Sequence, residues 1–209
     1  PSAVRVVAVT KGFGVDVVRA AVDAGLTSLG ENRVQEAIDK VAAAPEADWH
    51  MVGHLQGNKA RPALRLFHTI HSVDSLELLA RIERIAHDDG HRPRLLLQVN
   101  LDGEPGRAGF DRSWFEGQAG DARGPLVEAL LRVRVADVVG LMGIASIGAK
   151  AAGQFAALRE MRDRLRESSG LALPELSMGM TSDAELAVRE GATLVRIGTA
   201  IFGPRPEHH

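Results

Sequence analysis

The sequence predicts an α/β protein of one domain, folded as a closed (β/α)8 barrel of the TIM type. Two observations carry that expectation. Short runs rich in Val, Ile and Leu alternate along the chain with stretches whose apolar residues recur at helical spacing, the pattern of a parallel sheet covered by helices. Eight such runs in 209 residues match a barrel near the lower end of its size range. An open doubly wound sheet suits the same alternation and is the alternative architecture. With 45% hydrophobic and 25% charged residues, the composition is that of an ordinary globular chain with one large core.

The elements follow in order. The run Val4-Arg5-Val6-Val7-Ala8-Val9-Thr10 is the first strand, ended by Lys11-Gly12, and a helix is expected over 14–25. A strand over 26–30 leads to a helix over 31–44, with Asn32 as its capping residue and Glu36 as an acid in its first turn. Strands over 48–53 and 68–72 flank a helix over 57–66. The helix over 74–89 has the clearest pattern: Leu76, Leu79, Ala80, Ile82 and Ala86 form an apolar stripe, and Asp74 stands where a cap belongs. Beyond the strand over 94–100, one long helix is expected over 113–132, then a strand over 135–142 and a helix over 151–168. The chain closes with a strand over 174–178, a helix over 182–190 and a strand over 193–198.

Composition also excludes function classes. The formal net charge is −2 and no basic block occurs, so nucleic acid is not an indicated partner. The absence of cysteine removes disulfides and thiolate metal sites. No apolar run approaches the roughly 20 residues of a membrane span, and a cytoplasmic monomer is expected. The domain is read as 1–205. The tail 206–209 ends in Glu207-His208-His209, which reads as a tag remnant and is given no role.

The barrel reading locates a site. Active sites of such barrels lie at the C-terminal ends of the strands, and phosphates often sit after strands seven and eight. Ser177-Met178-Gly179-Met180-Thr181 and Arg196-Ile197-Gly198-Thr199 fall there, each pairing a glycine that lets backbone approach a ligand with a hydroxyl donor. Lys11 ends strand one, and it is expected to lie across the barrel mouth from these loops. An amine facing a phosphate cradle suits a phosphorylated aldehyde held as a Schiff base, which points to pyridoxal 5′-phosphate (PLP).

Other polar segments have two readings each. His50 and His54 lack the spacing and the third ligand of a metal site, so site lining or packing is expected of them. The segment Gly53-His54-Leu55-Gln56-Gly57-Asn58-Lys59 is either a cofactor-facing loop or a helix start with Asn58 near its cap. The glycine-rich stretch 100–109 is either a lid or flexible surface. Met142 either fills the barrel or touches a ring.

At this point the chain resembles a known family, the pyridoxal phosphate homeostasis proteins, which have an alanine-racemase-like barrel of the type III fold of PLP proteins. The resemblance rests on Ala8-Val9-Thr10-Lys11, on the segments 30–36 and 49–59, on Gly140-Leu141-Met142, and on the segments 176–183 and 195–203. It implies that Lys11 forms the Schiff base. It matches Ser177, Thr181, Gly198 and Thr199 to phosphate-binding positions, Arg196 to the arginine facing the pyridine nitrogen, and Asn32 and Met178 to further positions lining the pocket. The chain departs from the family in starting almost at its first strand, where a helix normally precedes. It also has Arg107 where the loop after strand five usually carries a lysine, and an arginine cannot form a Schiff base.

Two functions fit these residues. The first is a PLP carrier or buffer that serves cofactor homeostasis, with apo PLP enzymes as its recipients and no established catalysis. The second is a PLP-dependent amino-acid racemase with an unusual second base. Related racemases use the Schiff-base lysine on one face and a tyrosine from a second domain on the other. This chain contains no tyrosine. A permanently charged arginine at the ring nitrogen also disfavours the protonated ring that strong electron withdrawal requires.

Overall fold

The computed structural model describes residues 4–146 and 148–204; the tail 206–209 and the extreme ends of the expected domain lie outside the described residues. Nine strands form one sheet: β1 (Arg5–Val9), β2 (Ser28–Glu31), β3 (Asp48–Met51), β4 (Thr69–Val73), β5 (Arg94–Asn100), β6 (Phe110–Asp111), β7 (Asp137–Gly143), β8 (Glu175–Ser177) and β9 (Leu194–Ile197). The pairing runs β1-β2-β3-β4-β5-β7-β8-β9 and returns to β1, every pair parallel, so eight strands close a barrel. The closed (β/α)8 architecture is therefore the one the alternation predicts, and the open sheet is excluded.

The helices between strands are α1 (Val15–Asp23), α2 (Val34–Ala43), α3 (Ala60–Leu66), α4 (Leu76–Asp89), α5 (Arg112–Ala119), α6 (Pro125–Arg132), α7 (Ala151–Ser169) and α8 (Ala184–Arg189), with α9 (Thr199–Phe202) after the last strand and a 3-10 turn at Gly57–Lys59. None of the described helices is long and apolar enough to cross a membrane.

Strand alternation sorts the apolar residues into two cores. Val7, Leu96, Val139, Met142 and Leu194 pack inside the ring, which settles Met142 as barrel filling. Their strand neighbours Ala8, Leu95, Leu97, Leu141 and Val195 join helix residues such as Ile82, Phe115, Phe155 and Leu158 in the larger outer core. Trp49 is fully buried there, and its indole N–H donates to the Ala44 carbonyl at 2.9 Å, which satisfies the polar atom that burial would otherwise strand. Ions close the floor of the barrel. Arg5 and Arg94 both bond Glu175, Arg94 at 2.8 Å, and Thr193 Oγ1 donates to the other carboxylate oxygen at 2.6 Å.

The structure departs from the expected elements where short-range signals compete. The helix expected over 113–132 is two helices. Gly120 ends α5, and Gly124 with Pro125 restarts the chain as α6, proline being suited to a first helical turn and not to an interior. Ser75, not Asp74, caps α4, its Oγ accepting from the Leu78 amide at 3.1 Å. Arg33 occupies the cap position of α2, so Asn32 is left one residue outside the helix. Two elements were unforeseen. β6 pairs with the end of β5 beyond the last β4 partner, Leu97, and α9 is a single turn after β9.

The closeness of β7 and β8 gives a test of this packing. A methyl added to Gly140 would lie 1.9 Å from the Glu175 carbonyl oxygen, a backbone atom that cannot move without disturbing the ladder. Gly140→Ala is expected to lower stability by about 1–3 kcal/mol through overpacking. Gly153, on α7 with nothing within 4 Å of an added methyl, is expected to gain roughly 0.5–1 kcal/mol as Gly153→Ala. Urea midpoints of the two variants measure both.

Candidate functional site

Closure of the ring puts the ends of β1 and β9 side by side. Ala8 pairs with Ile197, and a methyl on Gly198 would meet the Val9 carbonyl oxygen at 3.3 Å. The Phe13 and Phe202 rings, 5.5 Å apart, join the β1–α1 loop to α9. Lys11 therefore stands beside the Gly198-Thr199 turn, not across the mouth from it; the expectation treated the first and last strands as opposite, whereas a closed barrel makes them neighbours.

β8 brings the other loop to the same rim. The Arg196 amide donates to the Gly179 carbonyl at 3.0 Å. Gly179 has φ +90, and a methyl there would lie 2.5 Å from the Ala187 methyl, so the turn into α8 requires glycine. The Met180 amide then donates to Asp183 Oδ1 at 2.6 Å, holding a turn that leaves Thr181 exposed. Thr199 is exposed at the start of α9, whose leading amides precede the helical ladder and so face outward for a ligand.

A polar chain crosses the barrel interior beneath this rim. Arg196 is 6% exposed. Its Nη1 donates to Ser177 Oγ at 2.6 Å and its Nη2 to the Gly143 carbonyl at 3.0 Å. Ser177 Oγ lies 2.8 Å from His71 Nδ1, His71 Nε2 lies 2.9 Å from His50 Nδ1, and His50 Nε2 lies 3.0 Å from Asp48 Oδ2 near the barrel floor. Burial lowers the Arg196 pKa to about 10, with the Asp183 charge acting in the opposite direction, so the guanidinium stays charged at neutral pH. Both its bonds run to neutral oxygens, which leaves a buried cation at the mouth available to an acceptor or anionic ligand.

A second buried cluster stands behind Lys11. Lys40 Nζ donates to Glu31 Oε1 at 2.6 Å and to the Thr10 carbonyl at 2.9 Å, and Thr10 Oγ1 donates to the same Glu31 oxygen at 2.5 Å. It ties α2 to the last residue before Lys11. The stretch after β5 is pinned rather than loose: Asn100 bonds the Glu104 carbonyl and the Gly103 amide, Gln98 bonds the Ala108 carbonyl, and Arg107 is paired with Asp102 and Glu104. His54 is exposed, its Nδ1 3.0 Å from Asp74 Oδ2. Among the described residues no group of three metal-ligating side chains gathers.

Comparison with known proteins fits this geometry. Residues 1–206 match the family described as alanine racemase, N-terminal domain. The pyridoxal phosphate homeostasis protein of Pseudomonas aeruginosa is 39% identical over 208 residues, covering 98% of this chain and 86% of that protein. The protein of the same name from Synechocystis sp. is 36% identical over 211 residues, covering 98% and 93%. This chain belongs to the pyridoxal phosphate homeostasis protein family. Among solved structures, PipY of Synechococcus elongatus with PLP bound superposes with a TM-score of 0.87 at 41% identity, covering 97% of this chain and 94% of that one. Alanine racemase of Clostridium difficile shares the fold with a TM-score of 0.78 at 16% identity, covering 99% of this chain and 54% of that one.

The residues matched to this pyridoxal phosphate homeostasis family do not all gather in one way. Lys11, Thr181, Gly198 and Thr199 come to one sector of the rim. Arg196 lies just beneath it. Ser177 is fully buried, its hydroxyl engaged by Arg196 and His71. Met178 is fully buried in the outer core, so it brings backbone to the rim. Asn32 is half-buried, packed so tightly that a methyl on Gly53 would fall 2.3 Å from its carbonyl oxygen, and it lines a cavity of about 310 Å³ with Arg33, Gln35, His54, Gln56 and Lys59. His71, Glu31 and Lys40 escaped the sequence reading. The signal for His71 was an imidazole at an inward position of the strand Thr69-Ile70-His71-Ser72-Val73.

Burial, reinforced by its His50 neighbour and by the Arg196 charge, pushes the His71 imidazole well below 6.5. The unfolded chain then takes up a proton near that pH and the folded chain does not, so stability falls as pH drops through about 6.5. Urea unfolding at about pH 7.5 and about pH 5.5 is expected to show the loss, and His71→Asn is expected to flatten the slope. An unchanged slope would mean that His71 accepts a proton in the fold.

Proposed function

We propose that this protein binds PLP at the rim formed by β1, β8 and β9 and acts as a carrier or buffer of the cofactor in the cytoplasm, with apo PLP enzymes as recipients. The observation that carries the reading is the convergence of Lys11, the Thr181 and Thr199 turns and the buried guanidinium of Arg196 on one sector of the mouth. The family membership and the PLP-bound structure of the relative from Synechococcus elongatus support it. When bound, PLP supplies an aldehyde that a lysine amine can hold and a pyridine ring that can withdraw electrons.

The donor set suits that ligand. Thr181, Thr199 and the leading amides of α9 offer neutral donors to a phosphate, each charge-assisted bond contributing about 1.5–3 kcal/mol. Lys11 supplies the amine. Arg196 has donors and no acceptor, so it presents N–H to a ring nitrogen and gives that nitrogen no carboxylate to hold a proton. Ser177, matched by resemblance to a phosphate position, is assigned here to Arg196, because both its neighbours lie inside the barrel.

Borohydride reduction of the PLP-loaded protein, followed by peptide mapping, is expected to find the pyridoxyl group on Lys11 and not on Lys59 or Lys150. Lys11→Ala is expected to lose the visible absorbance while staying folded. Thr181→Ala and Thr199→Ala are expected to weaken PLP by about tenfold or more while leaving pyridoxal within about twofold, the signature of a lost bond to phosphate. Equal losses for both ligands would remove these threonines from the site.

Catalytic silence is expected as well. Racemisation needs proton transfer at both faces of an α-carbon by groups within hydrogen-bond reach. The chain has no tyrosine, His50 is fully buried, and the His54 Nδ1 lies 3.0 Å from Asp74 Oδ2. Amino-acid α-protons are expected to exchange in deuterated water no faster than with free PLP, as read by NMR. Lys11-dependent exchange with inversion would replace the carrier reading with the racemase.

A further inference from the structure

We infer that Asp48, His50 and His71 are positioning residues, a proton-ordered chain that fixes the Ser177 hydroxyl as an acceptor and thereby aims Arg196 at the ligand. The inference rests on the PLP reading for its consequence and on geometry for its existence.

The order follows from one end. Asp48 Oδ2 lies 3.0 Å from His50 Nε2, and a carboxylate only accepts, so that nitrogen carries the proton. A neutral His50 then has a bare Nδ1, which accepts from His71 Nε2–H at 2.9 Å. A neutral His71 in turn has a bare Nδ1, which accepts the Ser177 hydroxyl proton at 2.8 Å. With its proton turned inward, Ser177 offers its lone pairs to Arg196 Nη1 at 2.6 Å. Every donor meets an acceptor from rim to floor. The opposite sense needs two protons on His50, which is fully buried, and leaves the Ser177 proton with no partner inside the barrel.

Stability does not explain such a chain. Barrel interiors are commonly filled by branched aliphatic layers, and a buried polar network is weak evidence of stabilisation beside an apolar core of the same volume. Here it replaces part of the apolar filling, and it ends on Arg196. A guanidinium bonded to one hydroxyl and one carbonyl can swing unless the hydroxyl is itself held, and His71 holds it.

The test has two parts, so that failure of this inference and failure of PLP binding are told apart. Ring-nitrogen NMR of the ¹⁵N-labelled protein without PLP is expected to show His50 and His71 as neutral Nε2–H tautomers at neutral pH. An Nδ1–H tautomer or an imidazolium at either residue overturns the order, whether or not PLP binds. The second part compares two variants. Asn at position 71 carries an oxygen where His71 has Nδ1 and keeps the contact to Ser177, whereas Gln reaches only toward the Nε2 position and His50. His71→Gln is expected to weaken PLP about tenfold and to shift its visible band, and His71→Asn to stay within about threefold with the wild-type band, the tenfold step being one hydrogen bond to a charged group. Equal effects of both variants, or none from His71→Gln in a protein that melts as wild type, overturn the positioning role. If His71→Gln fails to fold, the tautomers of the wild-type protein decide.

Discussion

The parallel pairing of β1 with β9 is the contact on which the rest of this structure depends. It turns a ribbon of strands into a ring and makes the first and last strands neighbours. Lys11 at one end of the chain is thereby brought beside the Gly198-Thr199 turn at the other, with Phe13 and Phe202 in contact above the seam. An open sheet would leave these ends on opposite edges and dissolve the site. The narrow approach of Gly198 to the Val9 carbonyl shows how little room the seam leaves for a side chain.

Beside that seam the protein buries an ion pair. Lys40 and Glu31 are both nearly inaccessible, and Glu31 Oε2 has no hydrogen-bond partner. Removing one member of such a pair commonly costs about 3–5 kcal/mol, while an apolar replacement of both can be neutral. What the ions provide is register. An ammonium bonded to the Thr10 carbonyl holds the backbone immediately before Lys11 against α2. The chain from Asp48 to Arg196 does the same on the opposite side of the ring wall, inside the barrel. Outer and inner polar devices thus bracket one rim sector, and the apolar cores keep water from competing with them.

The site itself is asymmetric in a chemically meaningful way. The side proposed for the phosphate is made of neutral donors at exposed turns, open to solvent. Its cation is deep and held by neutral oxygens, so it contributes direction and charge without taking a proton. The loop after β5 is tied down by its own side chains.

Much of the fold could be read from the residues alone. Local periodicity, which depends only on backbone geometry, marked the alternating strands and helices and the stripe of α4. Lys11, Thr181, Gly198 and Thr199 stood out because they stand at or just beyond strand ends, with Arg196 near the end of the closing strand, and strand ends are where barrel sites form. Tertiary structure decided the rest. Whether Ser75 or Asp74 caps α4, and whether 113–132 is one helix or two, turned on one hydrogen bond and on where Pro125 could be accommodated, differences too small for periodicity to resolve. β6 exists only because the end of β5 has a free edge there. The partnership of Ser177 with His71, and of His71 with His50, was invisible because these residues lie far apart in sequence and meet only through the curvature of a closed sheet. The sequence alone determined which chemical groups reach the rim; closure of the ring determined which of them touch.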